Sequence, residues 1–229
     1  DLSVRGYHQY HWNTHLLRAG VKAIHYESRF RHLTNAGLAE EISQQSLTLS
    51  AFAENAFELT PSMHLNTGIR VLQHNAMSKW FWEPRIAIYY ETPFNLTLKA
   101  AYGRYHQFLS QLQLDRFQSG EPVFWLLADG QLFGEAAASH YIAGLQYRHG
   151  PWLLDVEGYY KPTTGITGSQ ALFNPYVERD SIAQQLQLPT NGTNVARGLD
   201  VLLQRTAGAF TGWVSYSLSS SRNRFEALN

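Results

Sequence analysis

Between Trp152 and Lys161 the chain reads Trp-Leu-Leu-Asp-Val-Glu-Gly-Tyr-Tyr-Lys, and its two files of alternate residues belong in different solvents. One file is Trp152, Leu154, Val156, Gly158 and Tyr160; the other carries Asp155, Glu157 and Lys161. A period of two places successive side chains on opposite faces of a β-strand. A charge-free face with an aromatic at each end, about long enough to cross a hydrocarbon core, fits the apolar outer band of a transmembrane β-barrel. Alternation alone does not say which face meets water, because a soluble sandwich or small barrel turns the same apolar file inward.

Composition narrows the alternatives. The 229 residues carry 18 basic and 18 acidic side chains, so no net positive charge marks a nucleic-acid surface. Cysteine is absent, which removes disulfides, thiolate metal sites and cysteine nucleophiles together. Mean hydropathy is −0.30 and no run approaches the eighteen apolar residues of a membrane helix. Barrel strands escape that test because their two faces average out. Asp1 to Arg5 has neither the basic start nor the apolar stretch of a secretory leader. No composition shift marks a linker, so residues 1–229 read as one unit.

Turn signals and alternation predict about ten strands, near 2–9, 15–27, 46–60, 63–73, 84–91, 95–107, 138–148, 152–164, 196–206 and 210–220. Short links at His11-Trp12-Asn13, Pro61-Ser62, Thr92-Pro93-Phe94, Gly150-Pro151 and Ala207-Gly208 alternate with long stretches near 28–45, 74–83, 108–137 and 165–195. If strands run up and down, every short turn falls at one end and every long loop at the other, the asymmetry of outer-membrane barrels. Two faces recur along the chain: Leu65, Thr67, Ile69 and Val71 oppose His64, Asn66, Gly68 and Arg70, and Leu96, Leu98, Ala100 and Tyr102 oppose Thr97, Lys99 and Gly103. Leu199, Val201 and Leu203 oppose Asp200 and Gln204.

Several segments, in order, resemble the barrel of a TonB-dependent outer-membrane receptor. Glu83-Pro84-Arg85-Ile86-Ala87-Ile88-Tyr89-Tyr90 followed by Leu96-Thr97-Leu98-Lys99-Ala100-Ala101-Tyr102-Gly103-Arg104-Tyr105 is similar to that family's strand pair around a short periplasmic turn. Ser139 to Tyr147 with Val156 to Lys161 resembles the next hairpin, and Ala196-Arg197-Gly198-Leu199-Asp200 with Gly212 to Ser219 the one after, with Asp200 where a glutamate is more usual. The family's plug, TonB box and terminal aromatic strand have no counterpart, so the resemblance covers the middle of the barrel. It implies an all-β fold, an antiparallel up-and-down transmembrane segment of about ten strands belonging to a larger, usually 22-stranded barrel. It implies residence in a bacterial outer membrane and uptake of a bulky nutrient, such as an iron chelate, vitamin or glycan. Implied partners are the TonB complex acting through a plug domain, membrane lipids and the nutrient. A surface lipoprotein remains open as a further partner, and nucleic acid is not expected.

Covalent chemistry finds no support. There is no nucleophile elbow, phosphate loop or HExxH pattern, so neither enzyme activity, cofactor nor metal site is expected. His8, His11, His15, His25 and His32 lack a ligand spacing and read as structural or solvated. Arg70, Lys99, Asp155, Glu157 and Asp200 are expected to face the lumen, where a wide barrel is polar throughout. Ligand contacts are expected in loops, at Arg116, Phe117 and Trp125 and at Tyr176 and Arg179, because arginine, aromatics and amides together suit a small organic ligand. The alternatives are a passive porin or adhesin barrel, which lacks a plug, and a soluble β-barrel or sandwich binding module.

Overall fold

The computed structural model describes residues 1–33, 39–113, 123–130, 133–168, 172–173, 186–187 and 191–225. Ten strands form one antiparallel sheet: β1 (Leu2–Trp12), β2 (His15–Leu33), β3 (Ala39–Thr60), β4 (Met63–His74), β5 (Trp80–Glu91), β6 (Leu96–Gln107), β9 (Ala136–His149), β10 (Trp152–Ile166), β13 (Gly192–Arg205) and β14 (Gly212–Arg224). Each inner strand pairs with the strand before and after it in this order, so the topology is a simple up-and-down meander. Two small hairpins interrupt it: β7 (Leu109–Gln113) with β8 (Val123–Leu127), and β11 (Leu172–Phe173) with β12 (Leu186–Gln187).

The five short links are all at one end of the sheet. Asn13, Asn95, Gly150 and Gly208 take positive φ there (51°, 59°, 54° and 114°), which glycine and asparagine tolerate best. At the opposite end β2 and β3 run for 19 and 22 residues, well beyond the sequence estimate. Residues 28–33 and 39–45, expected as loop, are therefore paired strand. Their alternation is unreadable because Glu27, Ser28 and Arg29 put polar groups on both faces. β5 also begins earlier than expected, at Trp80, with Pro84 inside it. Proline is tolerated because the β5–β6 ladder ends beside it, at the pair Arg85–Gly103.

Residues paired across the sheet share a face, and one face carries Leu17, Ile69, Ile86, Leu98, Leu145, Leu199 and Leu218, all large, apolar and exposed. Trp12, Tyr90, Tyr147 and Trp152 mark its turn end; Trp80, Trp82, Tyr141 and Tyr160 mark its loop end. From Trp152 to Tyr160 is about 26 Å of strand, close to the roughly 25 Å apolar band of an outer-membrane barrel. The charged side chains cluster on the other face, and the most buried residues, Leu72, His74 and Glu83, lie there too. A soluble sandwich would bury the apolar face under a second layer; no second layer covers it among the described residues.

The polar face is concave. A single pocket of about 390 Å³ draws its lining from β2, β3, β4, β5, β6 and β9, from Arg18 to Ile142. Strands that span about 24 Å at the usual spacing reach one pocket only if the sheet curls around it. β1 and β14 are exposed along their whole lengths, so the wall has two open edges. Such edges need neighbouring strands to satisfy their backbone groups in lipid.

Candidate functional site

Two ionic clusters occupy the concave face, and the pairing register builds both. Glu54, Gly68 and Arg85 lie side by side across β3, β4 and β5. Glycine in the middle leaves Arg85 free to reach Glu54 at 3.7 Å, while Arg18 approaches the same carboxylate at 3.7 Å from β2. Above them Glu83, 1% exposed, is held by Arg70 Nε at 3.2 Å and Arg85 Nη2 at 3.6 Å. The His106 backbone N–H donates to Glu83 Oε1 at 2.7 Å, and the His106 ring lies 3.4 Å from the same oxygen. Where the ladder to β6 stops, the Glu83 side chain thus accepts from the β6 backbone. Sequence reading placed Arg70 on this face but missed Glu83, because a glutamate before a proline looks like the end of a loop.

The second cluster joins β6 to β10 across β9. Lys99 Nζ donates to both Asp155 oxygens, at 2.7 and 3.0 Å, and lies 3.3 Å from Glu157 Oε2. Gln146 donates to Asp155 Oδ2 at 3.0 Å. Lys99, Gly144 and Glu157 form one row, and a Cβ at Gly144 would lie 2.9 Å from the lysine Cε and 2.7 Å from the Val156 carbonyl oxygen. Only glycine lets the lysine cross this strand. Asp200 continues the row beside Glu157 and is exposed. All five residues expected on the lumen side therefore share the concave face, and four of them belong to ion pairs.

At the loop end the segment after β6 folds inward. Phe108, Met77, Leu72, Phe81 and Ala128 form a dry cluster against the concave side of β4 and β5. His74, fully buried, bonds Thr48 Oγ1 through Nδ1 at 2.8 Å, donates from Nε2 to the Ala128 carbonyl at 3.1 Å, and stacks on Phe108 at 4.5 Å. The β7–β8 hairpin is tied to β2 and β3. Ser28 Oγ donates to the Trp125 carbonyl at 2.6 Å, and the Leu127 N–H donates to Gln44 Oε1 at 3.0 Å. Trp125 itself is 46% exposed. The other expected loop contacts, Arg116, Phe117, Tyr176 and Arg179, lie outside the described residues.

Among the described residues no three histidine, cysteine or carboxylate side chains are grouped for a metal ion. The charges are fixed, mostly paired and embedded in a wall, an arrangement suited to holding and guiding a solute.

No family model and no curated protein sequence matches the chain. Solved structures do. The chain superposes on the siderophore receptor PirA from Pseudomonas aeruginosa with a TM-score of 0.66 at 13% identity, over 98% of this chain and 42% of that one. With the outer membrane transporter YddB from Escherichia coli the TM-score is 0.65 at 11% identity, over 96% and 33%. The fold is that of an outer-membrane transporter barrel. The copper transporter OprC agrees, with a TM-score of 0.67 at 13% identity over 96% and 37%. The chain spans between a third and about two-fifths of the lengths of these proteins' chains.

Proposed function

We propose that this chain is part of the wall of a TonB-coupled receptor in the bacterial outer membrane, importing a bulky nutrient such as an iron chelate. The observation that carries the reading is the dressing of the sheet: an exposed, aromatic-bordered apolar face on one side and a concave ionic face on the other. In lipid the first is at home, and the second lines a polar lumen holding Arg70, Lys99, Asp155, Glu157 and Asp200. The siderophore receptor PirA and the copper transporter OprC, which share this fold, support an import role.

In this reading the nutrient is captured by the loop end, with Trp125 and the loop residues Arg116, Phe117, Tyr176 and Arg179 in contact with it. A plug domain within the lumen responds to TonB and opens the path. The work is binding and transport, with no covalent step.

The test uses the full-length protein in an outer-membrane-bearing host. Uptake of a labelled ferric chelate panel is measured with and without functional TonB, and with and without a protonophore. Uptake that stops in both cases is expected. Uptake that persists in either case assigns the wall to a passive pore.

A further inference from the structure

Beyond its two ionic clusters, the concave face is divided by charge along the strand direction. Across the inner strands, the row that runs from Leu16 on β2 through Asn66 and Ala101 to Tyr159 on β10 and Gly198 on β13 carries no charge. In the three rows on its loop side, Arg18, Lys22, Arg70, Arg85 and Lys161 face only Glu54 and Glu83. In the three rows on its turn side, Lys99 and Arg148 face Glu58, Glu91, Asp155, Glu157 and Asp200. The loop half is therefore cationic and the turn half anionic, each by the same excess. Lys161 and Glu157 are four residues apart on β10, about 13 Å of strand, which exceeds the roughly 8 Å over which physiological salt screens charge. The two halves act separately on whatever enters the lumen.

Within the cationic half the arginines are engaged by Glu54 and Glu83, but Lys161 is not engaged by any acid. Its Nζ lies 4.4 Å from the centroid of the Tyr159 ring, and it forms no ion pair among the described residues. On the neighbouring strand its row holds His140, since Tyr160 faces Tyr141. The His140 ring meets Tyr105 at 4.7 Å, and the Arg85 guanidinium lies over Tyr105 at 5.2 Å. Arg85, Tyr105, His140 and Lys161 thus make one strip, cationic at both ends and aromatic between. From β5 to β10 it crosses three strand spacings, about 14 Å. Arg85, Tyr105 and His140 also line the 390 Å³ pocket of the concave face, a volume in the range of small-molecule sites.

We propose that this strip binds an anionic solute, that the imported nutrient is an anionic chelate, and that Lys161 is the residue that sets the preference for negative charge. The proposal rests on the reading that the concave face lines a lumen entered from the loop end. There a free ammonium group gives an anion charge-assisted hydrogen bonds without first breaking an ion pair, and the rings beside it pack against the body of the ligand. The walls of the lumen have a low dielectric constant, which focuses the field of the belt onto the solute. The uncharged row and the acids beyond it oppose further descent, so the wall draws an anion in as far as the boundary between the halves and holds it there.

The experiment measures equilibrium binding to the full-length protein in neutral detergent, by quenching of tryptophan fluorescence. The probes are a ferric tris-catecholate, which is an anion, and a ferric tris-hydroxamate, which is neutral. The wild type should bind the anion about tenfold more tightly, with an affinity that falls as salt is raised. Lys161→Gln should weaken the anion about threefold and Lys161→Glu about tenfold, while Lys161→Arg should bind it like the wild type. None of the three should change binding of the neutral chelate, which also reports that the variants are folded. Asp200→Asn, in the turn half, should leave both affinities unchanged. Equal wild-type affinities for the two chelates, or an anion affinity indifferent to Lys161→Gln and Lys161→Glu, overturns the site. Indifference combined with a lower unfolding midpoint would assign Lys161 to an acidic surface of the domain that fills the lumen. If neither chelate binds, the iron-chelate reading falls and the anion site with it; if the neutral one binds as tightly as the anion, the anion site alone falls.

Discussion

Glu83 is the group on which the concave face most depends, and its removal gives a graded prediction. The carboxylate is 1% exposed and faces two guanidinium groups, Arg70 and Arg85, whose side chains are 31% and 36% exposed. Solvent screens those pairs, so each contributes about 0.5–1 kcal/mol. Glu83→Gln loses the charge but keeps an oxygen that can accept from the His106 N–H, so it should cost about 1–2 kcal/mol in all. Glu83→Ala also loses that charge-assisted hydrogen bond and strands the arginines beside a void, raising the cost to about 3–5 kcal/mol. The assay is equilibrium urea unfolding of the full-length protein in lipid vesicles, followed by tryptophan fluorescence. Equal costs for the two variants, or both below about 0.5 kcal/mol, would refute the claim that Glu83 replaces the missing β5–β6 ladder.

Other positions make separate claims. Gly144→Val should push Lys99 off Asp155 and Glu157 and destabilise the wall by about 1–3 kcal/mol in the same urea assay, whereas Gly158→Ala, with open space around it, should change little. Val156→Arg, aimed at lipid, should cost about 2–4 kcal/mol, and Gln146→Arg, on the concave face beside Asp155, should cost much less. A comparable cost for both would mean the faces are assigned wrongly. His74→Ala should release the segment after β6 by removing two hydrogen bonds and a ring stack, and limited proteolysis between Leu109 and Leu127 should accelerate about tenfold. An unchanged cleavage rate would show that other contacts hold the hairpin.

The ten strands were legible wherever the two faces meet different solvents, as from Leu96 to Tyr102 or Trp152 to Lys161, because burial in lipid forces strict alternation. Four of the five short turns were legible for a related reason, since few residues besides Asn and Gly suit their backbone at Asn13, Asn95, Gly150 and Gly208, and the fifth was marked by Pro61-Ser62. Legibility ended where both faces become polar. The upper parts of β2 and β3, past Glu27, read as loop although they remain paired to Leu33 and Ala39. Lys99, Asp155 and Glu157 were each assigned to a face, but their mutual pairing depends on β9 lying between β6 and β10, which a period of two does not encode. Glu83 was hidden by Pro84, whose ordinary meaning in a strand is an edge.

The central claim is that the file Leu154, Val156, Gly158 and Tyr160 faces lipid while Asp155, Glu157 and Lys161 face a polar interior. Since residues 1–229 contain no cysteine, single cysteines at 153–161 can be spin-labelled one at a time against an unlabelled background in this segment. Power-saturation measurements in vesicles then compare collision with oxygen, which concentrates in hydrocarbon, against a water-soluble nickel chelate. The account predicts a period of two, with oxygen maxima at 154, 156, 158 and 160 and the lower values between them. No periodicity, or maxima at 155 and 157, would contradict it.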